Sequence, residues 1–324
     1  GATHVVGSAF VTEPREIVLD LPQLRLAALE WGPADGRLAL CVHGFPDSAH
    51  GWRLLAPLLA DNGFRVVAPF MRGYAPTGPA PDGDYTLGAL TSDLIAAHRY
   101  LGAPPDAVLI GHDWGGWATG SLAAFGDSPF AAHIALALAT PGAMSPPRGR
   151  GLAGSLRLAA RQLRNSWYIM FFQLPWLPQR VLPAVIPRLW KDWSPTGADV
   201  RDDVATTLAA LPDLAERKAA VSYYRANMKA RRARPRYRAM NRFRYRKPVL
   251  PLLLVYGDCD GAIEADFLDP MLTALPAGSR SVMIPGAGHF LQIDRPEETC
   301  AAILDYLGHS GTSVEKTHGS TDFA

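Results

Sequence analysis

The feature that most constrains this chain is a glycine-rich turn, GHDWGG at residues 111–116, between an apolar run and a helical pattern. The apolar run, residues 107–110, contains β-branched side chains and is typical of a buried strand, and residues 117–125 have helical periodicity. Small residues around one polar residue let a strand turn sharply into a helix, because glycine adopts backbone angles that other residues avoid. The pattern predicts a strained strand-to-helix turn with the carboxylate of Asp113 at its tip.

Apolar runs alternate with helical patterns on both sides of this turn. The predicted strands cover residues 15–21, 24–31, 38–42, 65–70, 107–110, 134–139, 252–256 and 281–284, the first two as an antiparallel pair. The predicted helices cover residues 52–59, 87–101, 117–125, 267–275 and 296–307. Such alternation indicates a mostly parallel sheet with helices on both faces, and the sites of these sheets lie at the carboxyl ends of the strands.

The alternation stops between residues 141 and 250, where the composition also changes. This segment holds 22 lysine and arginine residues and 6 acids, whereas the rest of the chain holds 10 basic and 24 acidic residues. Prolines between residues 167 and 190 predict a series of short helices and turns. We predict a core of residues 1–140 and 251–307, a helical cap at 141–250 inserted after the sixth strand, and a disordered polar tail at 308–324.

The cysteines and the apolar runs bear on the compartment. The chain has 3 widely spaced cysteines, which form no metal or redox motif and favour a reducing environment. We find no N-terminal targeting pattern and no apolar run of the roughly 18 residues that span a bilayer. A cytoplasmic location is expected.

The residue types in the predicted loops suggest covalent catalysis. Asp113 is ionised at neutral pH, because an unperturbed aspartate has a pKa near about 3.9, and it can attack an electrophilic carbon to form an ester. Hydrolysis of that ester requires a base for water, and His289 follows the last predicted strand. The acid that orients the histidine is Asp258 or Asp260 in one loop, and we favour Asp260, which lies further into the loop.

Four motifs together resemble the epoxide hydrolases of the α/β-hydrolase fold: HGFP at residues 43–46, GHDWGG at 111–116, GDCD at 257–260 and GAGH at 286–289. The resemblance extends over most of residues 15–307, and the motifs are specific in combination. It implies an α/β-hydrolase fold and conversion of an epoxide and water to a vicinal diol. It implies neither a cofactor nor a metal.

The same resemblance implies further roles. Backbone N–H groups of Phe45 and Trp114 would form the oxyanion hole. Two cap tyrosines would hydrogen-bond the epoxide oxygen, and the matching positions are Tyr168 and Tyr224, with Tyr223 as the alternative to Tyr224. A cis bond is expected between Phe45 and the next residue. The expected substrate pocket is lined by Phe45, Pro46, Trp114, Phe172 and Phe290.

Two other functions compete with this one. Haloalkane dehalogenases share an aspartate nucleophile followed by tryptophan, but they usually need a halide-binding asparagine or second tryptophan where this chain has Phe45. Fluoroacetate-type dehalogenases usually carry arginine after the nucleophile, where this chain has Trp114. The alternative of another class is a non-catalytic ligand-binding or membrane-surface protein on the same fold, for which a water-activating histidine has no use.

The expected partner is a small, lipophilic epoxide. Residues 225–247 hold 11 lysine and arginine residues, no acid and three aromatic residues, a composition that can mean nucleic acid or an anionic membrane. We favour a solvated cap face complementary to the acidic core, with peripheral contact to an anionic membrane as the alternative. No nucleic-acid partner is expected.

Overall fold

The structure is a computed structural model that describes residues 13–138, 151–228, 232–263 and 275–308. The predicted helix at 267–275, apart from its last residue, lies outside the described residues, as do residues 309–324 of the predicted tail and 141–150 of the predicted cap. The strands are β1 (Arg15–Asp20), β2 (Arg25–Trp31), β3 (Arg37–Val42), β4 (Phe64–Pro69), β5 (Val108–His112), β6 (Ala132–Leu136), β7 (Leu253–Gly257) and β8 (Arg280–Ile284).

These eight strands form one sheet in the order β1-β2-β4-β3-β5-β6-β7-β8. Strands β1 and β2 pair antiparallel, as predicted, and so do β2 and β4, while all other neighbours are parallel. β5 is buried along its whole length, as its continuous apolar run predicts for a strand covered on both faces. The carboxyl ends of β3, β5 and β7 therefore lie on one edge of the sheet.

Helices cover both the core and the segment between β6 and β7. The helices are α1 (Leu55–Asp61), α2 (Leu87–Tyr100), α3 (Trp114–Phe125), α4 (Gly151–Asn165), α5 (Trp167–Phe171), α6 (Leu177–Trp193), α7 (Arg201–Ala209), α8 (Leu214–Met228), α9 (Arg238–Asn241), α10 (Leu291–Asp294) and α11 (Pro296–Tyr306). Helices α4 to α9 form the predicted insertion after the sixth strand. Within the described residues, no helix is long and apolar enough to cross a bilayer.

Helix α6 corrects the prediction of short helices and turns. It continues for 17 residues through Pro183 and Pro187, which lie on its half-exposed and exposed sides. A proline inside a helix removes a hydrogen bond and costs about 3 kcal/mol. The opposite face of α6 is buried in the core and outweighs that cost, through Leu182, Ile186, Leu189, Trp190 and Trp193.

The inserted helices also complete the beginning of α2 in the core. The first N–H groups of a helix have no partner within it. Here the N–H of Leu87 donates to Asn227 Oδ1 at 2.9 Å, and the N–H of Gly88 donates to Asn241 Oδ1 at 3.1 Å. Both asparagines belong to the insertion, so buried hydrogen bonds fasten it to the core.

Candidate active site

Asp113 lies between β5 and α3 in a conformation that few side chains adopt, with φ 53° and ψ −113°. The glycines next to it let the turn pack against the sheet. A Cβ on Gly115 would lie 2.1 Å from the Val42 carbonyl oxygen, and one on Gly116 would lie 2.0 Å from that of Leu138. Only glycine fits at either position, so the sharp turn required by the sequence motif is present.

The carboxylate of Asp113 is held from two sides. The N–H of Phe45 donates to Oδ1 at 2.9 Å, and Nε2 of His289 lies 3.3 Å from Oδ2. The preceding Gly44 allows this approach, because a Cβ there would lie 2.4 Å from Oδ1. Trp114 is the first residue of α3, so its N–H has no partner within the helix. Phe45 and Trp114, whose N–H groups are the predicted oxyanion donors, therefore both lie next to the carboxylate of Asp113.

His289 lies in the loop after β8 and is fully buried. Its Nδ1 is 2.9 Å from Oδ2 of Asp260, while its backbone N–H donates to the Trp193 carbonyl at 2.8 Å. The other carboxylate oxygen of Asp260 accepts N–H bonds from Ala262 and Ile263 at 2.7 and 3.1 Å. The histidine ring is thus fixed between two carboxylates, with Nε2 directed at Asp113.

Asp258, the alternative acid in the same loop, makes different contacts. It is exposed, and its Oδ1 accepts the N–H of Gly286 at 2.7 Å. Of the two acids, the structure brings Asp260 to the ring of His289.

Charges within the group set its protonation. Burial lowers the pKa of His289, but Asp260 and Asp113 outweigh burial and raise it to about 10. Burial favours the neutral acid at Asp113, but hydrogen bonding and charge from His289 outweigh it and lower the pKa of Asp113. The resting site therefore holds a protonated imidazole beside an ionised Asp113 at neutral pH.

Two buried tyrosines from the insertion face this group. Tyr168 lies on α5 and Tyr224 on α8, and their ring centroids are 5.6 Å apart. Burial raises the pKa of both phenols, so each keeps its proton at neutral pH. The ring of Tyr224 also packs against Phe45, Trp114 and Phe172.

Tyr223, the neighbour of Tyr224, points elsewhere. Its hydroxyl donates to the carbonyl of Arg72 in the core at 2.7 Å. Residues next to each other on a helix face different directions, so only one of this pair can lie over Asp113. The structure directs Tyr224 there.

The predicted pocket residues divide into two groups. Phe172 packs on Phe45 with centroids 5.4 Å apart, beside the tyrosines. Pro46 is buried, and the peptide bond before it is cis, as predicted. Phe290 is fully buried, and its ring stacks on that of Trp190 with ring centroids 3.5 Å apart, so it supports the wall behind His289.

The sequence analysis missed two tryptophans of α6 that hold the site. The indole N–H of Trp190 donates to the Pro46 carbonyl at 2.7 Å. Trp193 lies edge-on to the ring of His289 with centroids 5.0 Å apart. The sequence feature that could have identified them is their spacing, because tryptophans three residues apart lie on one face of a helix.

His43 and His112 are buried and bond to the backbone around the site. His43 Nε2 accepts the N–H of Met71 at 3.1 Å, so its Nδ1 carries the proton and donates to the Gly44 carbonyl at 2.9 Å. His112 Nε2 bonds the carbonyl of His289 at 2.8 Å. Burial lowers the pKa of His43 to about 4 and that of His112 to about 3, so both are neutral.

A carboxylate on a strand-to-helix turn, a histidine after the last strand and an acid after the preceding strand, at one edge of a mostly parallel sheet, define an α/β-hydrolase. The chain matches the alpha/beta hydrolase family over residues 39–302 and belongs to that family. Among the described residues, no group of three or more side chains is arranged to hold a metal ion.

Individual relatives are similar over most of their length. Epoxide hydrolase A of Mycobacterium tuberculosis (strain ATCC 25618 / H37Rv) is 28% identical, over 91% of this chain and 97% of the relative. Epoxide hydrolase 3 of Xenopus tropicalis is 28% identical, over 83% of this chain and 71% of the relative. The crystal structure of an epoxide hydrolase from Vigna radiata superposes with a TM-score of 0.72 at 22% identity, covering 92% of this chain and 99% of that one. The resemblance read from the four motifs is confirmed.

Proposed function

We propose that this chain is an epoxide hydrolase that converts an epoxide and water to a vicinal diol through a covalent ester on Asp113. The observation that carries the proposal is the buried arrangement of Asp113, His289 and Asp260 beneath two phenols, Tyr168 and Tyr224. Relatives named epoxide hydrolase, which match most of this chain, support the substrate class.

Ring opening is the first step. An oxygen of Asp113 attacks one epoxide carbon, the bond from that carbon to the epoxide oxygen breaks, and an alkoxide is left. Tyr168 or Tyr224 donates a proton to that alkoxide as it forms. Burial raises the pKa of both phenols, which keeps them protonated until the developing alkoxide makes transfer favourable.

Ester formation also prepares the second step. Asp113 loses its negative charge when it is alkylated, and with it the contribution that Asp113 makes to the raised pKa of His289. The pKa of His289 then falls, so the imidazolium releases its proton to solvent and the neutral imidazole can take a proton from water. Before the substrate reacts, His289 is a cation that keeps Asp113 ionised. Once the ester has formed, His289 is a neutral base that can activate water.

Hydrolysis completes the cycle. Water attacks the carbonyl carbon of Asp113, and the N–H groups of Phe45 and Trp114 stabilise the oxyanion. Collapse breaks the bond from that carbon to the diol oxygen, which takes a proton from His289. The new carboxylic acid at Asp113 returns its proton to the tyrosinate, and His289 takes up a proton from solvent again as the charge of Asp113 returns. The overall reaction is therefore epoxide plus water to diol.

Residues 141–250 would act as the cap over this site. The described part supplies Tyr168, Phe172 and Tyr224, and with Phe45 these rings form an aromatic wall beside the nucleophile. An aromatic wall favours a lipophilic epoxide. A cytoplasmic location and peripheral contact with an anionic membrane accompany this proposal.

Dehalogenation is the alternative use of the same nucleophile. A dehalogenase needs N–H donors for the departing halide. The indole of Trp114 instead packs edge-on against the ring of Tyr224, with ring centroids 5.0 Å apart, so it lies beside the phenol pair. We therefore expect turnover of styrene oxide and none of bromobutane; release of bromide at a comparable rate would contradict the proposal.

The covalent step can be tested with His289→Gln. Because Asp113 is already ionised when substrate arrives, this variant should react once and retain one substrate mass on the peptide that contains Asp113. Asp113→Asn is the matched control and should gain no mass.

A second test follows the oxygen. Wild-type protein in a single turnover in water labelled with heavy oxygen should place the label in Asp113 and leave the diol unlabelled. Label in the first diol would mean direct attack by water, and the covalent mechanism would be wrong even if the activity were right.

A further inference from the structure

Helix α4 has an apolar stripe that the described part of the chain leaves uncovered. Leu152, Leu156 and Leu163 on this helix are 79%, 60% and 65% exposed. Spacings of four and seven residues put the three leucines on one side of a helix. Aligned, exposed apolar side chains of this kind are typical of an interaction surface.

A different face of α4 holds it to the rest of the protein. Leu158 is 1% exposed, and the amide of Gln162 donates to the carbonyl of Ala262 in the core and to the hydroxyl of Ser166, both at 2.9 Å. The leucine stripe therefore points outward while the helix is attached through another face.

The charge around the stripe is of one sign. Exposed Arg157 and Arg164 lie on the face next to the leucines, and residues 151–191 contain no aspartate or glutamate. The basic residues in this range are Arg157, Arg161, Arg164, Arg180, Arg188 and Lys191. An apolar stripe beside arginines is the pattern of helices that lie in the headgroup region of a bilayer, and acid-free cationic surfaces favour anionic lipid.

Exposed apolar side chains continue along the chain in α5 and just before α6. Met170 is 64% exposed and Trp176 is 59% exposed, with the guanidinium of Arg180 over the Trp176 ring at 5.4 Å. Tryptophan beside arginine is enriched where protein meets the membrane–water interface.

The other basic segment of the cap lacks this combination. In the described residues 232–247, Tyr237 and Phe243 are buried and Tyr245 is 44% exposed, so two of the three aromatic side chains that alternate with the arginines face inward. That segment offers charge with less apolar surface than α4, which has three exposed leucines.

We propose that α4 is a membrane-contact helix that lies in the headgroup region of an anionic lipid bilayer. The leucine stripe is buried among the acyl chains near the headgroups, and the arginines meet lipid phosphates. The contact is independent of the proposed reaction, because it involves no residue of the candidate active site.

The test is sedimentation of the full chain with vesicles in the absence of substrate. Wild-type protein should bind phosphatidylcholine vesicles that contain phosphatidylserine and should bind pure phosphatidylcholine at least about tenfold more weakly. Raising the salt from about 0.1 M to about 1 M shortens the electrostatic reach from about 10 Å to about 3 Å and should weaken binding to the anionic vesicles.

Two double variants separate the apolar and charged contributions. Leu156→Gln with Leu163→Gln should weaken binding by at least about tenfold, because two leucines no longer enter the bilayer. Arg157→Gln with Arg164→Gln should weaken binding about fivefold for each arginine. The matched control is Leu214→Gln, which removes a 46% exposed leucine on α8 and should leave binding unchanged.

Several results would overturn the assignment. Failure of the wild-type protein to bind anionic vesicles would do so, as would leucine variants that bind them as strongly as wild type does. An equal loss with Arg236→Gln and Lys247→Gln, without any effect of the leucines, would place the contact on residues 232–247. Concentration-dependent dimers that the leucine variants abolish, without vesicle binding, would identify a second copy of the chain as the occupant.

Discussion

At the scale of single residues, the site depends on carboxyl groups in very different surroundings. Asp113 stays ionised because His289 lies beside it. Asp47, in the loop after β3, is buried with one oxygen bonded to the N–H of Ser48 at 2.7 Å and the other without a partner in the described structure. Burial raises the pKa of Asp47 to about 8. The surroundings therefore shift the pKa values of Asp113 and Asp47 in opposite directions.

Asp47 should make the protein less stable as pH rises. The folded protein keeps a proton on Asp47 that the unfolded chain releases near about pH 4, so stability should fall between about pH 4 and about pH 8 by at most about 1.4 kcal/mol per pH unit. Asp47→Asn removes this loss, and its stability relative to wild type should increase over that range. Urea unfolding at several pH values measures the difference.

The control for that experiment is Asp35→Asn, which removes an exposed carboxylate and corrects for the change in net charge. Parallel stability curves for Asp47→Asn and wild type would contradict a buried, protonated Asp47.

At the scale of elements, α8 carries two adjacent tyrosines with separate tasks. Tyr223 bonds the core at the carbonyl of Arg72, and one turn later Asn227 accepts the N–H of Leu87. These bonds fix the rotation of α8 about its axis. Tyr224 consequently faces the nucleophile.

Replacing each tyrosine by phenylalanine should separate those tasks. Tyr224→Phe should slow formation of the Asp113 ester by about 10²–10⁴-fold with little change in stability, because it removes a proton donor. Tyr223→Phe should destabilise the fold by about 1 kcal/mol through loss of one buried hydrogen bond and slow the reaction far less. Rapid-mixing kinetics and thermal unfolding measure the two effects. If Tyr223→Phe slowed ester formation more than Tyr224→Phe does, Tyr223 would be the proton donor and Tyr224 the structural residue.

At the scale of the whole molecule, one buried arginine joins the core to the insertion. The guanidinium of Arg72 is fully buried and bonds both carboxylate oxygens of Asp93 on α2, at 2.6 and 2.7 Å. It also contacts the hydroxyl of Tyr237, from the insertion, at 3.3 Å. Burial works against the charge, but Asp93 outweighs it and raises the pKa of Arg72, so the group stays charged.

Removing one member of this pair should leave a buried charge without its partner. Arg72→Met should destabilise the protein by about 3–5 kcal/mol, whereas adding Asp93→Leu should recover part of the loss because the fully buried partner charge is removed with it. Asp82, which also pairs with Arg72 at 3.1 Å, still loses that contact. Denaturant unfolding of both variants measures this. Arg25→Met removes an exposed ion pair with Asp20 and should cost at most about 1 kcal/mol. If the loss of stability in the double variant equalled the sum of the losses from the two single substitutions, Arg72 and Asp93 would not act as a unit.

Local patterns were enough to predict the order of the described core elements, the strand-to-helix turn at Asp113 and the loop position of His289, but not the individual helices of the insertion. Apolar periodicity and glycine placement act over a few residues, so they can be read without knowing what packs nearby. The same reasoning was wrong for α6, where a buried face outweighs two prolines. The helix at residues 267–275 stays a prediction.

Choices between close neighbours needed the tertiary structure. Asp258 and Asp260 share one loop, and Tyr223 and Tyr224 share one helix. The sequence favoured Asp260 and Tyr224 but could not show which acid contacts His289 or which tyrosine lies beside Asp113. Packing against Trp193, Arg72 and the rest of the core decides those directions. The outward leucines of α4 are of the same kind, because the spacing of apolar residues along a helix is the same whether the stripe they form is covered or exposed. Sequence determines which backbone states are accessible, whereas contacts between distant segments determine where each side chain points.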